Sequence, residues 1–189
     1  MLVNNKCFCG SNDKFSSCCQ LFINQTNNQK AFPQTPEQLM RSRFSAYATG
    51  NSQYIYDTYA KSSQTSQSVS EINDWSNACV WIALQIWSIN NGDITKKKSS
   101  EQFVEFSAFY ITDNTLCELR ENSRFVLESI KAENNNDKSQ ALQWRYIDGD
   151  IIEHLELSKL KRKDLCPCNN YPTAWSTKND KKFKQCCGR

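Results

Sequence analysis

Residues 35–50, TPEQLMRSRFSAYATG, place Met40, Phe44 and Tyr47 at i, i+4 and i+7, so one apolar stripe runs along a predicted helix. Thr35 suits the N-cap, Pro36 the first helical position, Gln38 the closing position of a capping box and Gly50 the stop. Arg41 and Arg43 flank the stripe. A second short helix follows, with Asn51 as cap and Ile55 and Tyr59 one turn apart, and a third is predicted around Ile72–Trp75 after Ser70.

The period then changes from helical to extended. Segments 80–89 (VWIALQIWSI), 101–111 (EQFVEFSAFYI), 115–129 (TLCELRENSRFVLES) and 142–151 (LQWRYIDGDI) carry the β-branched and aromatic content of strands. Polar stretches between them read as hairpin connections. Three helices followed by a four-strand meander predict an α+β fold whose antiparallel sheet wraps the helices. No glycine-rich loop joins a strand to a helix, which excludes the common nucleotide-binding folds.

With 189 residues, 39% hydrophobic and 12% aromatic, the chain can bury one core of ordinary size and carry small appendages. No apolar run reaches the roughly 20 residues of a membrane span. MLVNNKCFCG also lacks the apolar stretch of a signal peptide, so the expectation is a cytoplasmic protein. In that reducing setting the ten cysteines point away from a disulfide framework, the more so because eight lie in two short terminal clusters.

Those clusters share a spelling: Cys7-x-Cys9 with Lys14-Phe15-x-x-Cys18-Cys19, and Cys166-x-Cys168 with Lys182-Phe183-x-x-Cys186-Cys187. Paired thiolates joined by a loop supply the four soft ligands of a tetrahedral zinc site, and iron suits the same donors. Redox-active dithiols or a vicinal disulfide are the competing readings. Gly10 provides a tight turn after the first pair, and Phe15 and Phe183 are candidate apolar plugs beneath each site. In the second cluster Asn169 and Asn170 stand in the turn, and seventeen residues separate Cys168 from Cys186 where eight separate Cys9 from Cys18. The added NYPTAWSTKN segment, with Trp175, has no assigned role.

Metal also alters the charge picture. The formal charge of +3 divides into +7 over residues 159–189, where nine Lys and Arg meet Asp164 and Asp180, and −4 elsewhere. Two tetrathiolate sites holding divalent ions would bring the molecule to about −1, which weakens a nucleic-acid reading. SKLKRKD (158–164) reads as a solvated linker.

CFCGS with KFSSCC, and CPC with KKFKQCCG, resemble the SEC-C motif, the metal-binding module at the C-terminus of the SecA translocation ATPase and in other bacterial proteins. The resemblance implies as ligands Cys7, Cys9, Cys18 and Cys19, then Cys166, Cys168, Cys186 and Cys187. The middle of the chain resembles the nuclear transport factor 2-like (cystatin-like) cone. More narrowly, PEQLMRSRFSAY, ENSRF and W-x-YIDG between two SEC-C motifs resemble the YchJ family, which has no firmly assigned activity. The expected organisation is a metal-binding module over 1–30, the α+β cone over 31–155 and a second module over 156–189.

Cones of this class enclose a pocket, and fold alone does not decide its use. Arg41, Arg43, Arg124 and Asp148, with Tyr47, are the pocket candidates, as a structural ion pair or as an anchor for an anionic ligand. His154, the only histidine, is expected after the last strand, Ser45 and Ser123 have no visible base, and Cys79 and Cys117 read as core thiols. The leading expectation is a non-catalytic, zinc-binding protein whose modules engage a protein partner, SecA-like or ribosome-associated by resemblance. A small-molecule binding or enzymatic cone and an iron-binding or metal-sensing protein are the alternatives.

Overall fold

A computed structural model describes residues 6–24, 31–90, 101–131, 140–171 and 180–189. The connections at 91–100 and 132–139, and Trp175 with its neighbours at 172–179, lie outside the described residues. Helices α1 (Gln20–Ile23), α2 (Pro36–Thr49), α3 (Ser52–Asp57), α4 (Lys61–Gln64) and α5 (Val69–Ala78) precede strands β1 (Val80–Asn90), β2 (Glu101–Thr112), β3 (Thr115–Lys131) and β4 (Gln140–Lys159). The strands form one antiparallel meander in the order β1-β2-β3-β4.

Local chemistry sets most boundaries. Thr35 Oγ1 accepts from the Gln38 N–H at 3.2 Å, and Gln38 Oε1 accepts from the Gln34 N–H at 2.7 Å, so the reciprocal cap reaches one residue further back than a standard capping box. Gly50 closes α2 at φ 71°, where its N–H meets the Ala46 and Tyr47 carbonyls. The cap of α5 is Ser68, two residues before the predicted Ser70. Its Oγ accepts from the Glu71 N–H and donates to the Glu71 carboxylate, the pairing that Ser-x-x-Glu favours. Asp113 and Asn114, at φ 47° and 57°, make the two-residue turn between β2 and β3.

The chief difference from expectation is β4, which runs on to Lys159 and so carries the sheet past residue 155. Register shifts between Arg120 and Glu121 and between Leu116 and Cys117 each place an extra β4 residue in the ladder. Such bulges break the two-residue period, so the strand's far end does not read as one continuous alternation. His154 therefore sits within β4, opposite Leu119, with Nε2 2.6 Å from the Tyr110 hydroxyl.

The two sheet faces bury different partners. Leu39, Met40 and Phe44 of α2 pack on Trp81, Val104, Phe106, Ala108, Tyr110 and Phe125. The intervening positions Phe109 and Ile111, with Ile82 and Leu116, face the other way, onto the C-terminal cysteine segment. Trp81 centres the first layer, stacked 4.9 Å from Tyr47 and edge-on to Phe44 and Trp75. Segment 58–63 covers part of the β4 edge through Ala60 N–H to Tyr146 O and Ser63 Oγ–H to Ile147 O.

Arg124 and Asp148 pair across β3 and β4, at 2.9 and 2.6 Å, with side chains 34% and 57% exposed. The Arg124 hydrogen bonds lower the Asp148 carboxyl below its ordinary value, so this pair contributes above the usual aspartate range and is lost as pH falls through the depressed one. Solvent screens it. Arg124→Ala should cost no more than about 1 kcal/mol, read as the change in urea midpoint at neutral pH.

Candidate metal centre

The N-terminal cluster is a knuckle built from short-range hydrogen bonds. Lys6 and Lys14 form an antiparallel bridge, the Cys7 N–H donates to Asp13 O at 2.7 Å, and the Gly10 N–H donates to Cys7 O at 3.3 Å. Gly10 at φ 79° and Asn12 at φ 67° turn the chain back toward a single 3-10 turn, Phe15–Ser17, which delivers Cys18 and Cys19. Cys19 then caps α1.

The C-terminal cluster repeats this plan despite its longer loop. Leu165 bridges Lys182, the Cys166 N–H donates to Lys181 O, and the Asn169 N–H donates to Cys166 O. Asn169 and Asn170, which stand in the turn where the first cluster has Gly10, do not take its positive φ. Those residues form a 3-10 turn, Pro167–Asn170, with the Asn169 side-chain amide on Cys166 O, and the left-handed residue is Asp180 at φ 48°, two before Lys182 as Asn12 is two before Lys14. Phe183 is buried beneath this site, and Gly188 lies against its ring, where any Cβ would collide. Phe15 is only half-buried and meets Phe8 edge-on at 5.6 Å.

In each cluster all four sulfurs lie within 4.8 Å of one another. Adjacent contacts are 3.8 Å for Cys9–Cys18 and 3.9 Å for Cys18–Cys19, then 3.4 Å for Cys166–Cys168, 3.5 Å for Cys168–Cys186 and 3.9 Å for Cys186–Cys187. A tetrahedron of Zn–S bonds about 2.3 Å long has edges of roughly 3.8 Å, so the thiols already stand at ligand separation. All ten cysteines are free, and these spacings are far beyond a disulfide bond.

Electrostatics within each cluster favour a cation. The Cys19 thiol, then that of Cys9, donates to Cys7 and holds it far below the ordinary thiol range, while the same contact with Cys7 drives Cys19 far above it. Burial raises Cys187 strongly, and the charge of Cys168 adds to it. Without a metal each set supports a thiolate stabilised by protonated neighbours. Four thiolates at these distances require a divalent ion to compensate them.

Residues outside the motifs support the first cluster. Arg41 Nη1 donates to Cys9 O at 2.9 Å and its Nε to Glu37 Oε1 at 2.8 Å, while Ser45 Oγ lies 3.7 Å from Cys7 Sγ. Arg41 therefore serves the knuckle and not the cone pocket for which it was a candidate. Its i, i+4 spacing with Ser45 marks a separate face of α2, which is the signal that distinguishes it from the Met40, Phe44, Tyr47 stripe.

Between the helices and the sheet lies a cavity of about 150 Å³ lined by Arg43, Tyr47, Tyr59, Trp75, Trp81 and Tyr146, with Glu121 and Ser123 on its polar side. Of the pocket candidates only Arg43 and Tyr47 reach it. Arg124 and Asp148 lie in their exposed cross-strand pair. The pairing of Arg43 with a strand aspartate does not occur either: its Nη1 donates to Ile55 O at 2.7 Å and Thr58 Oγ1 at 2.8 Å, and Tyr59 and Tyr146 stack on its guanidinium at 4.4 and 4.7 Å. Glu121 was not singled out from sequence, although strand alternation along β3 turns it inward with Leu119, Ser123 and Phe125, which is the signal that could have found it.

Comparison with known proteins agrees with this architecture. Residues 35–149 match the family model of the YchJ middle NTF2-like domain. A UPF0225 protein of Vibrio cholerae (El Tor Inaba N16961) is 34% identical over 183 residues, covering 96% of this chain and 99% of that one. A UPF0225 protein of Enterobacter sp. (strain 638) is 32% identical over 97% of each. Among solved structures, a SEC-C motif containing protein from Psychrobacter arcticus superposes with a TM-score of 0.64 at 24% identity, covering 100% of this chain and 98% of that one, a likeness of fold. With its middle matched to the family model and nearly its whole length matched to these relatives, the chain belongs to the YchJ family, an NTF2-like α+β domain flanked by two SEC-C-type cysteine knuckles.

Proposed function

We propose that each knuckle holds one zinc ion as a structural clip and that the protein acts as a non-catalytic adaptor in the cytoplasm. The observation that carries the metal half is the closed donor set: four thiols in each knuckle at tetrahedral separation, which fill the coordination sphere and leave no position for a substrate. Cys7, Cys9, Cys18 and Cys19 would hold the first ion and Cys166, Cys168, Cys186 and Cys187 the second.

What supports the partner half is the surface beside the second knuckle. Ile151, Ile152, Leu155 and Leu157 stand exposed on β4, and Leu165 is exposed within the basic tail. β4 is an edge strand of the sheet, and segment 58–63 covers it only around residues 146–147. An extended protein segment, of translocation, chaperone or ribosomal origin, has main-chain and apolar groups to meet there.

Elemental mass spectrometry on protein purified without metal-affinity resin should give about two zinc per chain, unchanged by air. Substoichiometric iron lost on oxidation would replace this reading with a metal-sensing one. For the partner, proteins retained by the wild-type chain should be lost with a Leu155→Asp, Leu157→Asp chain. Retention of every partner would remove the adaptor role.

A further inference from the structure

The cavity under the sheet holds two opposite charges that face it with unused hydrogen-bonding capacity. Arg43 is more than nine-tenths buried, and its Nη1 alone is satisfied, by Ile55 O and Thr58 Oγ1. Among the described residues its Nε and Nη2 meet no acceptor, so three N–H groups remain. On the other wall Glu121 Oε1 accepts from the Ser123 hydroxyl at 2.5 Å and the Tyr146 hydroxyl at 3.0 Å, which fixes the carboxylate and leaves Oε2 without a donor among the described residues. Gly149, opposite Ser123 on β4, makes room for this arrangement, because a Cβ there would overlap the Glu121 carboxylate.

The remaining walls are mainly aromatic, with Tyr47, Tyr59, Trp75, Trp81 and Tyr146 among them and Ala108 in the lining, around a volume of about 150 Å³. A cavity of roughly that size takes up a benzene-sized molecule. Charge decides between classes of occupant. A cation that pairs with Glu121 meets Arg43, and an anion that pairs with Arg43 meets Glu121, each in a site where aromatic walls weaken solvent screening. A neutral molecule with a donor and an acceptor satisfies both groups and adds no net charge.

We propose that this cavity is a binding site for a planar, uncharged, single-ring heteroaromatic molecule whose donor meets Glu121 and whose acceptor meets Arg43. Ring faces stack on the surrounding indoles and phenols, and the polar edge is read by the two charged groups. This does not depend on the identity of the metal in the knuckles.

The test uses the full chain as purified, titrated with 2-pyridone (neutral, adjacent donor and acceptor), benzylammonium and benzoate, read by melting temperature and tryptophan fluorescence, since Trp75 and Trp81 line the site. 2-Pyridone should saturate at concentrations about tenfold below either charged probe, a 1.4 kcal/mol preference. Glu121→Gln removes the negative charge while Arg43 keeps its own, so the preference should pass to benzoate. Ala108→Val should weaken every probe by narrowing the cavity, with unchanged circular dichroism showing that the fold is kept; if that variant does not fold, the switch of preference to benzoate in Glu121→Gln decides. Tighter binding of benzylammonium or benzoate to the wild-type chain would overturn the proposal. So would no response to any probe at millimolar concentration, which would leave the cavity a water-filled polar network.

Discussion

Cys19→Ser should reduce bound metal from two equivalents to one and lower stability by about 3 kcal/mol or more, because metal affinity in such a knuckle is folding free energy. The size of the effect follows from where the knuckle packs. Cys7, Cys9 and Cys19 belong to one apolar cluster with Ile23 of α1, Ala46 of α2, Ile55 of α3 and Ile72 of α5, so opening it unpacks the helix layer. A drop of roughly 10 °C in melting temperature is expected for a chain of this length. Cys187→Ser should also remove one metal but cost less, since Cys187 is half-buried and its knuckle caps only the outer sheet face, on Phe109, Ile111 and Leu116. Calorimetry beside metal analysis checks both. A larger drop for Cys187→Ser would show that the outer face depends on its clip more than the helix layer does.

Arg43→Met should destabilise the protein by about 2–4 kcal/mol, set by competing terms. Two hydrogen bonds from a charged donor are lost at roughly 1.5–3 kcal/mol each, and stacking on Tyr59 and Tyr146 at about 1 kcal/mol each. Removing a buried cation relieves several kcal/mol of desolvation, which offsets much of that. The loss also leaves Glu121 without an opposing charge in the cavity. Urea unfolding should therefore show a shift several times that of Arg124→Ala, whose exposed pair is worth about 1 kcal/mol at most. Equal shifts would mean that the desolvation relief cancels the lost contacts and that Arg43 is replaceable in the fold.

These two arginines show where sequence reading stops. Both lie in motifs of the same kind, RSRF and ENSRF, each followed by an aromatic residue. Arg43 falls on α2 within one turn of Met40, Phe44 and Tyr47, so its inward direction follows from helical periodicity. Arg124 sits on β3 next to inward-facing Phe125, so strand alternation turns it outward, but its partner Asp148 lies far along the chain and is set by the sheet register. Glu121 alternates inward on β3 with Leu119, Ser123 and Phe125, and only the packing of that face against α2 brings it to the cavity that Arg43 lines.

The sequence by itself determined both cysteine knuckles, the caps of α2, the turn between β2 and β3 and the approximate strands. In each, the deciding energies act between residues a few positions apart: a ligand pair and its turn, a cap and its N–H, a side-chain period. Only the tertiary structure decided that the two knuckles clip different layers, that Arg41 braces Cys9, that β4 extends to Lys159, and that Glu121 faces Arg43's cavity. Those outcomes rest on sheet register, bulges and packing between segments as much as a hundred residues apart, as when the Trp144 indole donates to Gln34 O, and no local pattern encodes them.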